Sequence, residues 1–338
     1  MTTAARCQLT GVDAVAEAIA GRDANNLYRT SCFFEDPERY RSFCAQYAIM
    51  RVVDDRIDAL PARVSLTPPE VAAECDVVDA WRSAVEAVYE GQNLCYGVLN
   101  RTGYAQAREL LMALRAALHL FPVPRVLWRN FFDAMARDVE QPCFRTYTEF
   151  LAYAEGASAA PTTIYLYLLT SHRRAPGDKP YLPPAGFDLL RCGRALGLFA
   201  YLTHILRDLP DDVGGNRGAY GEGLLYFAED DLARHQLTPG MLYEDRVRGR
   251  SRAALRQLVS TLVVRSRAAL AEGQRYLTVL NGQLSPDCAF ILRLIVTLYV
   301  KTLQKIEACG CDPMLRRHTL TEAEKEAIVR RVLAGESV

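Results

Sequence analysis

Tyr47-Ala48-Ile49-Met50-Arg51-Val52-Val53-Asp54-Asp55-Arg56-Ile57-Asp58 is a run without Pro or Gly in which Tyr47, Arg51, Asp54 and Asp58 stand at steps of four, three and four. At 3.6 residues per turn those four side chains form one stripe, so the spacing predicts a helix with its carboxylates gathered at one end. Asp55 sits beside the stripe and adds a third acid to the same small volume. One reading is a solvated helix face in which Arg51 and Arg56 pair with the aspartates, each exposed pair contributing about 0 to 1 kcal/mol. The other is a cation site, because the apolar flanks Tyr47 to Met50 and Val52-Val53 predict a largely buried helix, where unpaired carboxylates are costly.

A second stretch repeats the pattern. In Gly197 to Asp212 the residues Tyr201, His204, Asp208 and Asp212 lie near one helical stripe, with Arg207 adjacent and Leu196 to Ala200 apolar. Two D-x-x-x-D helices facing one cavity would hold divalent ions through a few carboxylates and leave positions open for phosphate oxygens and water, which is how magnesium usually binds. His204, alone on an apolar helix, reads as a hydrogen-bonded core residue rather than a ligand. Pro210 removes one helical hydrogen bond and disfavours helix at Leu209, so Asp212 is expected on a kink.

Outward from these motifs the pattern stays helical. Asp79 to Glu90, Ala105 to Leu120, Ser251 to Leu280 and Ala289 to Ala308 carry apolar residues at three- and four-residue intervals, and alternating strand signals are nearly absent. Pro and Gly predict loops at Leu60 to Pro69, Phe121 to Pro124, Ala175 to Gly186 and Pro210 to Gly223. No stretch has linker composition, so residues 1–338 are read as one all-helical domain.

Composition excludes some classes. The 338 residues hold 40 Lys plus Arg against 40 Asp plus Glu, a balance that argues against a nucleic-acid footprint. The ten cysteines are scattered and read mostly as small buried apolar residues in a reduced compartment; Cys309 and Cys311 lack the second pair a zinc site needs. Met1 to Leu9 has no apolar signal region, and Ala195 to Leu206 and Ala289 to Val300 are too short to span a bilayer. The expectation is a cytoplasmic protein.

At the two acidic motifs the sequence resembles the squalene/phytoene synthase family. The resemblance runs from Thr30-Ser31-Cys32-Phe33-Phe34 through Tyr47 to Asp58, Tyr153 to Thr162, Gly197 to Asp212 and Leu225 to Leu232, to Tyr299 and the stretch up to Lys325, about residues 25–333 in all. Thr203-His204-Ile205-Leu206-Arg207-Asp208 followed by Asp212 looks like the second aspartate motif of head-to-head enzymes, not the Asn/Ser/Glu metal motif of terpene cyclases. The resemblance implies an isoprenoid-synthase helical bundle around a central apolar cavity, with Mg2+ bridging aspartates to allylic diphosphates. Carried over, Asp54, Asp58, Asp208 and Asp212 are metal-site carboxylates with Asp55 in support. Ser31, Tyr47, Arg51, Arg207 and Tyr299 meet the diphosphates, although Tyr47 and Tyr299 also read as plain core. Tyr201 stands where Gln is common, His204 where Asn is common and Cys32-Phe33 where a Ser-containing pair is common. Leu224 replaces a frequent Arg, whose charge Arg217 could supply.

The activity implied is 1'-1 condensation of two prenyl diphosphates, farnesyl diphosphate giving presqualene diphosphate and then squalene or dehydrosqualene, or geranylgeranyl diphosphate giving phytoene. A class I terpene cyclase and an inactive prenyl-lipid-binding scaffold are the rival readings. NADPH use and oligomeric state stay open, since the family's reductions do not rely on a G-x-G-x-x-G site. A water-insoluble product implies peripheral membrane contact.

Overall fold

The structure is a computed structural model that describes residues 9–60, 66–93, 96–140, 143–173, 175, 177–213, 225–242, 249, 251–280, 282–312, 314 and 318–336. Its helices are α1 (Val12–Ala20), α2 (Asn26–Ser31), α3 (Pro37–Asp58), α4 (Pro68–Tyr89), α5 (Gly97–Arg101), α6 (Ala107–Leu120) and α7 (Arg125–Val139). They continue as α8 (Tyr147–Ala154), α9 (Ala160–Thr170), α10 (Leu189–Val213), α11 (Glu229–Arg234), α12 (Arg252–Leu277), α13 (Pro286–Ala308) and α14 (Glu322–Leu333). Among the described residues there is no strand, only the isolated bridges Phe144 to Ala228 and His172 to Leu182.

The first motif helix starts where sequence chemistry says it should. Pro37 occupies the first turn of α3, where its missing N–H costs nothing, and the Asp36 side chain accepts the Glu38 N–H at 2.9 Å. The loop expected to run to Pro69 ends earlier for the same reason: Pro68 and Pro69 open α4, and Glu70 accepts the Thr67 N–H at 2.7 Å. Pro210 does not end its helix either, since α10 continues through it to Val213. Only one backbone bond is lost there, one turn from the helix end, and the packed Leu209 and Val213 hold the turn in place.

α3 packs against α1, α6, α7 and α9, while α10 packs against α9, α12 and α13. α9 thus touches both motif helices. Two glycines permit close approaches around it. A Cβ on Gly156, in the π-helical turn Glu155–Ala159 that joins α8 to α9, would stand 2.0 Å from the Asn130 carbonyl of α7. One on Gly197 would stand 2.5 Å from Ala159 Cα. The interior is filled by Trp81, Trp128, Phe121, Phe132, Phe150 and Phe199, each fully buried. Among the described residues, no helix is long and apolar enough to cross a membrane.

Candidate active site between two acidic helices

The first motif fills the last turns of α3. Asp54 and Asp55 are half-buried and Asp58 is exposed, so the acidic end of the helix emerges from the core instead of being enclosed by it. Asp55 lies 2.7 Å from Arg51 Nη2 and 3.2 Å from Arg22 Nη1; burial raises its pKa against the pull of both arginines. Arg51 also reaches Asp23 at 3.0 Å. Arg56, expected to pair with the motif aspartates on a solvated face, turns instead to Glu74 of α4 at 2.6 and 2.8 Å. Arg51 and Arg22 are the cations found against Asp55.

Tyr47 stands two turns before Asp54 on the same stripe. Its ring stacks on Phe43 with centroids 5.2 Å apart, and its hydroxyl accepts a hydrogen bond from Asn25, the N-cap of α2. Burial raises its pKa, and Asn25, Arg51, Asp54 and Tyr299 all act on it.

The second motif lies deeper. Asp208 is 8% exposed, with His204 Nε2 at 2.7 Å one turn back and Arg207 Nε at 2.8 Å. Burial works against its charge, but the Arg207 and His204 hydrogen bonds outweigh it and hold the carboxyl well below the usual range. His204 is not the core residue expected: its side chain is 49% exposed and works through Asp208. Asp212 is half-buried and within electrostatic reach of Arg207 and Tyr201.

Tyr299 of α13 links the two motifs. It packs edge-on against Phe199 of α10 with centroids 6.2 Å apart. It is within electrostatic reach of Tyr47 on one side and of Arg207 and Asp208 on the other. Burial raises its pKa, with Arg207 opposing. Pairwise electrostatic reach therefore runs from Asp54 to Tyr47, from Tyr47 to Tyr299, and from Tyr299 to Arg207 and Asp208 in this series.

One expected residue sits apart from this series. Ser31 is fully buried, its hydroxyl 2.8 Å from the Leu27 carbonyl and 3.0 Å from the Tyr165 hydroxyl of α9. Arg217, with Leu224, falls outside the described residues.

A third cluster escaped the sequence reading. Tyr153 donates to the carboxylate of Asp138, a residue of α7 that is 8% exposed. Tyr201 donates to the Tyr153 hydroxyl at 3.2 Å. Tyr226 stacks on Tyr153 with centroids 6.1 Å apart, and burial pushes the Tyr153 and Tyr201 phenols far above their usual range. Since Tyr201 also interacts with Asp212, this cluster borders the second motif. The available signal was Asp138 in register with apolar Phe131, Ala134 and Met135 on one helix face.

As metal donors, the paired carboxylates Asp54/Asp58 and Asp208/Asp212 offer hard oxygen ligands and an ionised Asp208, a donor set that suits magnesium. Among the described residues, no three His, Cys, Asp or Glu side chains cluster tightly enough to hold an ion by themselves. Magnesium asks for less, since one or two carboxylates with water and substrate phosphate complete its shell. A cavity of about 360 Å³ lies elsewhere, between α2, α13 and α14, and no motif aspartate lines it.

A squalene/phytoene synthase profile matches residues 21–324. The chain belongs to the squalene/phytoene synthase family. Curated relatives include a chloroplastic phytoene synthase 1 from Solanum lycopersicum, 23% identical over 86% of this chain and 60% of its own length. A 15-cis-phytoene synthase from Synechocystis is 23% identical over 83% of this chain and 72% of its own. The chain spans about three fifths of the length of several of the plant relatives. A dehydrosqualene synthase in complex with ligand superposes with a TM-score of 0.71 at 18% identity, covering 96% of each chain. A squalene synthase from Alicyclobacillus acidocaldarius gives 0.66 at 16% identity, covering 89% of this chain and 95% of its own. Tyr201 joins the Asp138 cluster, and His204 grips Asp208.

Proposed function

We propose that this chain condenses two allylic prenyl diphosphates head to head, with diphosphate release at the junction of α3, α10 and α13. What supports the reading is the pairwise electrostatic reach of Tyr47 to Asp54, Arg51 and Tyr299, and of Tyr299 to Arg207 and Asp208, which runs from one acidic helix toward the other.

Each group has a part that follows from its chemistry. Arg51 and Arg207 present forked donors that match diphosphate oxygens and offset charge as the allylic C–O bond ionises. Asp54, Asp58, Asp208 and Asp212 would hold Mg2+, with Asp55 in support, and bound magnesium would supply Lewis-acid neutralisation of the leaving diphosphate. His204 and Arg207 keep Asp208 ionised for that role. Tyr47 and Tyr299 hold their protons at any physiological pH and can donate to diphosphate oxygen. The second substrate's double bond attacks the allylic cation, and loss of one proton closes a cyclopropane. A second ionisation and rearrangement then ends by hydride from NADPH, by proton loss or by water. The aromatic wall of Phe199, Phe150, Tyr153, Tyr201 and Tyr226 excludes water that would trap the cations early.

Farnesyl diphosphate is the substrate proposed first, giving presqualene diphosphate and then squalene or dehydrosqualene. The phytoene synthases among the relatives favour geranylgeranyl diphosphate as a second reading. We further propose one catalytic domain, a cytoplasmic setting and peripheral membrane contact for an insoluble product. Incubation with Mg2+ and either diphosphate, with and without NADPH, followed by mass spectrometry of the products, tests the reading. A product built from two prenyl units is expected. A product of one unit, or none, overturns it.

A further inference from the structure

Cys309 and Cys311, at the end of α13, belong to no part of the prenyl-transfer junction. Cys309 Sγ lies 3.5 Å from Nδ1 of His318, a ring only 2% exposed, and His318 Nε2 lies 3.3 Å from the backbone carbonyl of Asp312. A carbonyl only accepts, so Nε2 must carry the hydrogen of that bond. The neutral ring therefore presents a bare Nδ1 to the sulfur, and the thiol is the donor. The carbonyl is itself held in place, because the fully buried Asp312 carboxylate is gripped by Arg252 at 2.7 Å and Arg256 at 2.9 Å. The chain reverses at Gly310 and Cys311, both with positive φ (65° and 56°), which leaves Cys309 partly open to solvent while His318 is enclosed beneath it.

A thiol hydrogen-bonded to histidine in a closed core is inert packing. Here the sulfur can be reached, its base has a fixed tautomer, and the base is hydrogen-bonded to the carbonyl of the anchored Asp312. Those are the components of an activated nucleophile. We propose that Cys309 is a modification site, a thiol activated by His318 that reacts with small soft electrophiles and exchanges with low-molecular-weight disulfides. In exchange, the Cys309 sulfur attacks one sulfur of R–S–S–R as its proton passes to His318 Nδ1. A Cys309–S–S–R bond forms, the original S–S bond breaks, and the departing thiolate recovers the proton as RSH. Cys311 is the poorer nucleophile of the pair, since burial, reinforced by Glu307, raises its thiol pKa.

The test uses the folded full-length chain and its own internal standard. Cys143 is an exposed free thiol, so on accessibility alone it should outpace half-buried Cys309. With limiting iodoacetamide at neutral pH and peptide-resolved mass spectrometry, Cys309 is expected to be alkylated roughly tenfold faster than Cys143. Oxidised glutathione should deposit its adduct at Cys309 first. Equal or slower labelling of Cys309 overturns the proposal, and the wild-type protein alone decides this. In His318→Gln the side-chain amide can still donate to the Asp312 carbonyl but cannot take the thiol proton. Cys309 should then fall to or below the Cys143 rate while Cys143 is unchanged. An undiminished Cys309 rate in that variant would equally refute the assignment. Neither outcome depends on prenyl transfer.

Discussion

Tyr153 donates its phenolic hydrogen to a buried carboxylate, with the two Asp138 oxygens 2.7 and 2.8 Å from its hydroxyl. The contact spans two helices, α7 and α8, and exists because Gly156 lets the following turn press against the Asn130 carbonyl.

Tyr153→Phe removes that donor and leaves a buried carboxylate short of one hydrogen bond, which costs about 1 to 3 kcal/mol. Chemical denaturation should show a loss of that size. In an Asp138→Asn background the same change should cost markedly less, as the charge needing the donor is gone. Equal losses in both backgrounds would separate the two residues energetically.

Asp208 gives a pH signature. Its folded pKa is depressed, so its contribution to stability is full above the unfolded value of about 4 and is lost as pH falls through the folded value. Wild type should therefore exceed Asp208→Asn in stability at pH 6, and the gap should narrow steadily between pH 5 and pH 2. A gap independent of pH across that range would mean that Arg207 and His204 do not hold the charge.

How much of this was legible in the sequence differs between its parts. Steps of three and four along Tyr47 to Asp58 and Tyr201 to Asp212 gave both motif helices, because helical periodicity is local. Proline misled twice, at Pro68-Pro69 and at Pro210. In the first case a loop was expected where Pro at the first helical turn is a start signal; in the second, tertiary packing around Leu209 outweighs one lost bond. The Asp138 cluster was invisible because its meaning depends on Tyr153 and Tyr201, which arrive from other helices. His204 was read from its apolar neighbours alone, although Asp208, four residues on, was its nearest polar partner.

Arg51 separates function from stability. Its partner Asp23 is exposed, a pair that contributes at most about 1 kcal/mol, while its pair with Asp55 is half-buried. Arg51→Gln should cost no more than about 3 kcal/mol of stability and stay folded, yet turn over prenyl diphosphate about 10²-fold more slowly if it offsets leaving-group charge. Unchanged turnover would remove Arg51 from the junction.

The central claim is that carboxylates from α3 and α10 act together on one diphosphate site. It is tested most directly by turnover of Asp54→Asn, Asp208→Asn and the double variant, with magnesium and the prenyl diphosphate that wild type consumes, each checked for its helical circular dichroism. Each single change should lower turnover by roughly 10³-fold with the fold intact, and the double variant should fall far less than the product of the two, as groups acting as a unit do. Full activity in either single variant, or losses that simply multiply, would contradict it.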